Sequence, residues 1–241
     1  AALFAKKYEN LFIITSDHYF QNITEFKNII KKISTIKHDE WTIFGVKATA
    51  PLTNYGYIKI KDDLNINDKN FYNKIYEVEK FLEKPNLKEA TNLLETGCYF
   101  WNLGIFYANA EILLESINQF SPKTAKFCEL SFKNSSILSK YDEIKLDEVE
   151  FKKISSNSID YEIVQKLKHI KMIPLDLVWN DLGNWDVLSQ TKDVCQTTKK
   201  VFQLSSNNNF IRGSDRIIAT VGLENFIVID TDDATLICKK G

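Results

Sequence analysis

The sequence predicts an α/β domain followed by a short all-β segment, and three observations carry that expectation. An apolar, β-branched run at 11–15, a helix-periodic run at 24–36 and a second apolar run at 41–46 follow in the order strand, helix, strand. Two further strand-like runs, 76–82 and 98–108, flank a segment with clear helix start and stop signals. After about residue 190 the texture changes to short strands at nearly even spacing, separated by clusters of Gly, Asn, Asp and Ser. Residues 1–190 are therefore expected to form one domain and 191–241 a C-terminal β segment.

Residues 11–15 read as a buried strand that delivers Ser16, Asp17 and His18 at its C-terminal end. In 24–36, Phe26, Ile29, Ile30, Ile33 and Ile36 recur at helical spacing with lysines opposite. With the strand at 41–46 this makes a βαβ unit and predicts a parallel sheet. The strand at 76–82 ends at Glu83-Lys84-Pro85, and the proline predicts that Lys84 leaves the strand extended. Asn86 with Glu89 three residues on resembles a capping box for a helix at 87–95, which Gly97 stops. A strand follows at 98–108, then a helix at 110–118 and another opening at Ser121-Pro122, with serine as the cap and proline in the first turn. Residues 158–168 read as helix and 170–174 as strand. Strands expected at 209–212, 216–221, 226–230 and 235–239 suit a small β appendage or the first coils of a β-solenoid, and no longer internal repeat stands out.

Composition excludes several functions. The 241 residues, 44% hydrophobic, are enough for a sizeable core. With 31 basic against 32 acidic residues the net charge is −1, so no field attracts nucleic acid. No apolar run nears the roughly 20 residues that span a bilayer, so no membrane partner is expected. Cys98, Cys128, Cys195 and Cys238 are far apart, as are the three histidines, which fits reduced thiols in the cytoplasm and no Cys/His metal site. Neither a glycine-rich phosphate loop nor a nucleophile elbow is present.

The chemistry concentrates in 81–106, FLEKP…ETGCYFWNLGIF, where an acid, a base and an amide stand among aromatics. That composition suits a phosphorylated, hydroxyl-rich ligand. Lys84 is a point charge for a phosphate, and Glu83 can accept hydrogen bonds from hydroxyls; a bare surface ion pair is the other reading. Asn102 inside an apolar strand needs partners, and Gly104 marks either close approach by a ligand or a bulge. Gly56, in Asn54-Tyr55-Gly56-Tyr57, sits in a hydroxyl-lined contact or a hairpin. Asp17, past a strand end, is placed to hold Mg²⁺ or to cap a turn. Asp181, between Trp179 and Trp185, is a metal carboxylate or part of an Asn-Asp turn. Asp160, in the first turn of a helix, favours the helix dipole in either case.

Together these segments resemble the bacterial mannose-1-phosphate guanylyltransferases (GDP-mannose pyrophosphorylases), of the long type often fused to a mannose-6-phosphate isomerase. Residues 13–18 (IITSDH), 44–58 (FGVKATAPLTNYGYI), 81–106, Ser158-Ile159-Asp160-Tyr161, 179–185 and 219–233 match family motifs in order. The resemblance implies a Rossmann-like sugar nucleotidyltransferase domain followed by a left-handed β-helix segment. It implies that GTP and mannose 1-phosphate give GDP-mannose and diphosphate by in-line attack. It also implies catalytic roles for Asp17, Lys84 and Asp181. Asp17 and Asp181 would hold Mg²⁺, Lys84 would bind the sugar phosphate, and Glu83 and Asn102 the sugar hydroxyls. Gly56 and Gly104 would line the pocket.

The departures matter as much. The family opens on a Gly-Gly-x-Gly-Thr-Arg-Leu nucleotide loop that does not occur here, and residues 1–5 resemble the tail of a helix well inside the domain. The chain thus reads as an N-terminally truncated fragment short of on the order of 100 residues. Thr15 and Ala48 replace prolines, Asn54 a glycine, and Gln165 an acid. Three readings follow: an enzyme half, inactive alone, that uses GTP only beside a separately encoded N-terminal fragment; a non-catalytic remnant of a split gene; or a sugar-phosphate-binding module. A second copy of the chain is a further candidate partner.

Overall fold

Aromatic and β-branched residues supply the strands of a mixed sheet, and the polar residues that end those strands make the candidate site. The computed structural model describes residues 1–7, 9–34, 40–61, 71–138, 143–190, 200–213 and 215–240. They fall into two units, 1–15 with 22–177, and 16–21 with 178–241.

The first unit begins with β1 (Asn10–Ile13); β2 (His18–Phe20) belongs to the second unit. Then come α1 (Ile23–Ser34), β3 (Trp41–Lys47), β4 (Tyr57–Ile60), β5 (Tyr76–Leu82), α2 (Leu87–Glu95) and β6 (Tyr99–Asn109). The unit continues with α3 (Ala110–Phe120), α4 (Pro122–Lys133), β7 (Ser136–Leu138), β8 (Glu143–Lys145), α5 (Glu148–Phe151), α6 (Ile159–Glu162) and β9 (Ile170–Pro174). The sheet order is β1-β6-β3-β9-β5-β4, and β4 also pairs with β6, so five strands form a closed circuit. Among the described residues of this sheet only β3 and β9 pair in parallel. The expected parallel sheet is therefore a mixed one. β1 and β3 do run the same way, as a βαβ unit requires, but the long β6 lies between them, antiparallel to both. β1 is consequently a half-exposed edge strand and not the buried strand expected.

Trp41, Ile43, Ile58, Phe100 and Met172 form the centre of the core. The one polar atom of the Trp41 side chain is satisfied: its indole N–H donates to Ser116 Oγ at 2.9 Å, and that hydroxyl donates to the Ile112 carbonyl at 2.7 Å. The α2 capping box forms as expected, with Glu89 N–H donating to Asn86 Oδ1 and Asn86 N–H to Glu89 Oε2. Gly97, at φ +68°, closes the helix by donating its N–H to Leu94.

Two local expectations fail. Ser121 makes no side-chain cap for α4: its backbone, at φ −144° and ψ 65°, is outside the extended region usual for a cap, and its hydroxyl donates to Glu162 Oε2 instead. The helix expected at 158–168 is one α-turn, α6, followed by a 3₁₀ turn at Val164–Lys166. Ile163 and Val164, at the junction of the two turns, are both buried in the core.

In the second unit β2 pairs antiparallel with β10 (Trp179–Asp181), and α7 (Trp185–Gln190) follows. The remaining strands are β11 (Val201–Leu204), β12 (Phe210–Arg212), β13 (Ile218–Val221), β14 (Phe226–Asp230) and β15 (Thr235–Lys239). Val201 pairs in parallel with Ile218 and Phe210 with Ile227, a constant offset of 17 residues. The corners repeat as well: Ser205 and Gly222 share positive φ, as do Asn208 and Asn225. The chain thus contains a 17-residue coil repeat that sequence reading missed. The antiparallel β15 ends the parallel stack.

Cys98, Cys128 and Cys238 are free thiols; Ile36, Cys195 and Ser214 lie outside the described residues. Among the described residues no helix is long and apolar enough to cross a membrane.

Candidate functional site

The first cluster follows from strand register. β4 lies between β5 and β6, and Tyr57 stands opposite Leu82 on one side and Trp101 on the other. Antiparallel pairing then puts Gly56, one residue earlier, level with Glu83 and Asn102, one residue later on each flanking strand. The Asn102 N–H donates to the Gly56 carbonyl at 2.8 Å. Residues 27 and 46 positions from Gly56 in sequence thus share one row. The row is tight at 56, where a Cβ would lie 2.6 Å from Glu83 Oε2 and 3.2 Å from Asn102 Cβ, so a side chain there would displace the acid.

Glu83 is the buried charge of this row. Its side chain is 5% exposed, against 50% for Lys84, whose Nζ lies 3.7 Å from Oε1, an ion pair too long for a hydrogen bond. Oε2 is buried with no hydrogen-bond partner among the described residues. Burial, and then the negative charge of Asp160, push the Glu83 carboxyl up to about 7, with Lys84 pulling the other way. A buried carboxylate oxygen left without a donor destabilises the fold unless a ligand supplies the donor.

Lys84 does not leave the strand extended. It adopts φ +45°, a left-handed conformation that residues with a Cβ rarely take. The turn follows directly on β5 and departs from the pre-proline preference, a form of strain that gathers at ligand sites.

Asn102 is buried and fully oriented. Its Nδ2 donates to Asp160 Oδ1 at 3.0 Å, and its Oδ1 accepts the Gly104 N–H at 3.2 Å. Gly104 has φ +66° and open space where a Cβ would be, so the backbone conformation is what requires glycine. Asp160 lies in the first turn of α6 as expected, but its carboxylate also reaches across to β6. Sequence reading missed that contact; its signal was that Asp160 falls in the Ser158-Ile159-Asp160-Tyr161 segment, one of the matched family motifs.

The second cluster holds Asp17 and Asp181. Asp181 ends β10 and pairs in register with His18; the Leu182 N–H donates to the Asp17 carbonyl at 3.1 Å. Asn180 and Asp181, which the sequence also allows as an Asn-Asp turn, lie in a strand. The His18 ring meets Trp179 edge-on, with centroids 5.3 Å apart. Burial lowers the His18 pKa, and the charges of Asp181 and Asp17 oppose that shift. Asp17 precedes His18 in the chain, and Asp181 stands opposite His18 across the β2–β10 pair. Among the described residues no group of three or more His, Cys, Asp and Glu side chains gathers for a metal. Two carboxylates still fit Mg²⁺, which takes one or two of them and fills its remaining positions with water and phosphate oxygens.

Comparison with known proteins places the chain among relatives. A nucleotidyl transferase family model matches residues 1–197, and a mannose phosphate isomerase/GMP-like β-helix domain matches 190–241. The xanthan biosynthesis protein XanB of Xanthomonas campestris pv. campestris (strain B100) is 34% identical over 94% of this chain and 47% of its own length. A mannose-1-phosphate guanylyltransferase of Escherichia coli is 32% identical over 95% of this chain and 50% of its own. The chain spans about half the length of the curated relatives it matches. Among solved structures, one named as a mannose-1-phosphate geranyltransferase from Thermus thermophilus superposes with a TM-score of 0.75 at 22% identity, covering 96% of this chain and 66% of its own. Another, named as a mannose-6-phosphate isomerase from Helicobacter pylori, gives 0.64 at 28% identity, covering 75% of this chain and 67% of its own.

Proposed function

The chain belongs to the nucleotidyl transferase family, and from that premise we propose that it carries the sugar-phosphate half of a mannose-1-phosphate guanylyltransferase. In that reaction a phosphate oxygen of mannose 1-phosphate attacks the α-phosphorus of GTP. The bond from that phosphorus to the bridging oxygen breaks, and GDP-mannose and diphosphate form. Residues 1–190 would be the transferase domain and 191–241 the β segment.

The observation that supports this most is the single row of Gly56, Glu83 and Asn102 with Lys84 beside it. The half-exposed Lys84 ammonium would bind the sugar phosphate as a point charge. Glu83 Oε2 and the Asn102 carboxamide would take the sugar hydroxyls, while Gly56 and Gly104 line the pocket. Asp17 and Asp181 would hold Mg²⁺, which when bound supplies charge neutralisation for the nucleotide phosphates.

Calorimetric titration with mannose 1-phosphate tests the sugar site. Binding in the micromolar to millimolar range that Lys84→Ala weakens is expected, and no heat at millimolar ligand would refute the assignment. Mn²⁺ in place of Mg²⁺ tests the metal pair: broadening of the His18 ring signals should vanish in the Asp17→Asn, Asp181→Asn double variant. Diphosphate release from GTP and mannose 1-phosphate is then measured with the chain alone and with a polypeptide carrying the Gly-Gly-x-Gly-Thr-Arg-Leu loop, which these 241 residues lack. Release in neither mixture from well-folded partners would sink the transferase reading.

A further inference from the structure

We propose that Asp160 is a positioning residue of this site, locking the Asn102 carboxamide in one orientation so that one N–H and one oxygen lone pair remain for a ligand. The proposal rests on the sugar-phosphate reading above. An asparagine amide has two N–H donors and an oxygen with two lone pairs. Asp160 Oδ1 takes one N–H, and the Gly104 N–H takes one lone pair. Flipping the amide would set Nδ2 against the Gly104 N–H and Oδ1 against a carboxylate, so both contacts would become repulsive.

Asp160 is itself held. Its Oδ2 accepts from Ser158 Oγ at 2.8 Å, and its own N–H donates to the same hydroxyl at 3.1 Å. The turn that carries it is tied down through Glu162, whose carboxylate accepts from Ser121 Oγ, Ser155 Oγ and Asn157 Nδ2. Capping a helix N-terminus requires none of this reach: Asn102 lies 58 residues away in sequence, on the central strand β6. Asp160 also acts on Glu83, where its negative charge opposes ionisation while Lys84 favours it. One residue thus sets the orientation of the amide and the charge of the acid beside it.

The test compares the full chain with Asp160→Ala and Ser158→Ala, by mannose 1-phosphate titration from pH 5.5 to 8.5 and by the exchange of the Asn102 side-chain amide protons. Asp160→Ala, which removes both the acceptor and the charge, should lower affinity at least tenfold, move the pH midpoint of binding downward, and expose the Asn102 amide to rapid exchange. Ser158→Ala, which leaves the carboxylate in place, should show the same effects at two- to threefold. Wild-type affinity and midpoint in a folded Asp160→Ala chain would overturn the proposal, as would lost affinity with the amide still protected. If Asp160→Ala does not fold, Ser158→Ala decides, and wild-type behaviour there overturns it. A wild-type chain that binds no mannose 1-phosphate sinks the functional reading separately. Amide exchange without ligand then decides Asp160: protection in the wild type that the variants lose supports it, and an unprotected wild-type amide overturns it.

Discussion

A Cβ at Gly56 would stand 2.6 Å from Oε2 of Glu83, so the absence of a side chain at the residue before β4 is what lets the acid lie buried against it. The clashing atom is the end of a side chain and can move, whereas Phe81 Cζ and Asn102 Cβ, each at 3.2 Å, can only yield slightly. Gly56→Ala should therefore cost about 1–3 kcal/mol of stability and displace the Glu83 carboxylate. We expect affinity for mannose 1-phosphate to fall at least tenfold while the protein still folds. Denaturation midpoint and calorimetry on the same sample separate the two effects, and unchanged affinity would show that Glu83 does not contact the ligand.

Glu83 also makes stability depend on pH. Burial pushes its carboxyl up to about 7, above its value in the unfolded chain. The folded state therefore holds this proton where the unfolded state has lost it. The stabilisation is complete below about pH 4 and disappears as pH rises through 7, an effect of up to roughly 3 kcal/mol. Glu83→Gln keeps the shape without the charge, so it should stabilise the chain at pH 8 and leave it little changed at pH 4. Urea unfolding of both proteins across that range measures the difference, and parallel stability curves would show that Glu83 titrates normally. A ligand that donates hydroxyls to the carboxylate should take up the ionised form and release a proton near neutral pH.

These two residues show what was legible in the sequence. Glu83 and Lys84 stood out as charges at a strand end among aromatics, and Asn102 as an amide inside an apolar strand, places where polar residues have few structural uses. Their meeting at Gly56 did not stand out, because register is a tertiary property: residues 54–57 read as a turn, and nothing local shows that β6 flanks both β3 and β4. Asp160 was explained by its own helix turn, which hid its bond to Asn102. The 17-residue coil escaped because matched positions share shape and backbone angle, as Ser205 and Gly222 do, more than residue identity. The strands at 76–82 and 226–230 were read correctly from short apolar runs bounded by turn residues.

Lys84 combines a backbone conformation and a charge that substitution can separate. At φ +45° a residue with a Cβ is strained by about 1–2 kcal/mol, and glycine is not. Part of that gain is offset by glycine's greater freedom in the unfolded chain. Lys84→Gly should therefore stabilise the fold by about 1 kcal/mol while weakening mannose 1-phosphate at least as much as Lys84→Ala does. Thermal unfolding with calorimetry reads both. A destabilised Lys84→Gly chain would mean that the Lys84–Glu83 ion pair outweighs the strain.

The coil repeat leads to a prediction confined to the second unit. Ser205 and Gly222 occupy equivalent corners one coil apart, at φ +47° and +66°. The Gly222 N–H donates to the Leu204 carbonyl, and the Leu223 N–H to Ser206 Oγ, so each corner is hydrogen-bonded to the coil before it. No heavy atom lies within 4 Å of a Cβ built at Gly222. Gly222→Ala would therefore act through the backbone alone, destabilising by about 1–2 kcal/mol. Ser205→Gly relieves the same strain one coil earlier and should stabilise by less than about 1 kcal/mol, since glycine also loses more entropy on folding. Hydrogen exchange at β13 and β14 locates the effect, and mannose 1-phosphate affinity should not move in either variant. A change in that affinity would show that the coils and the sugar-phosphate cluster are energetically coupled.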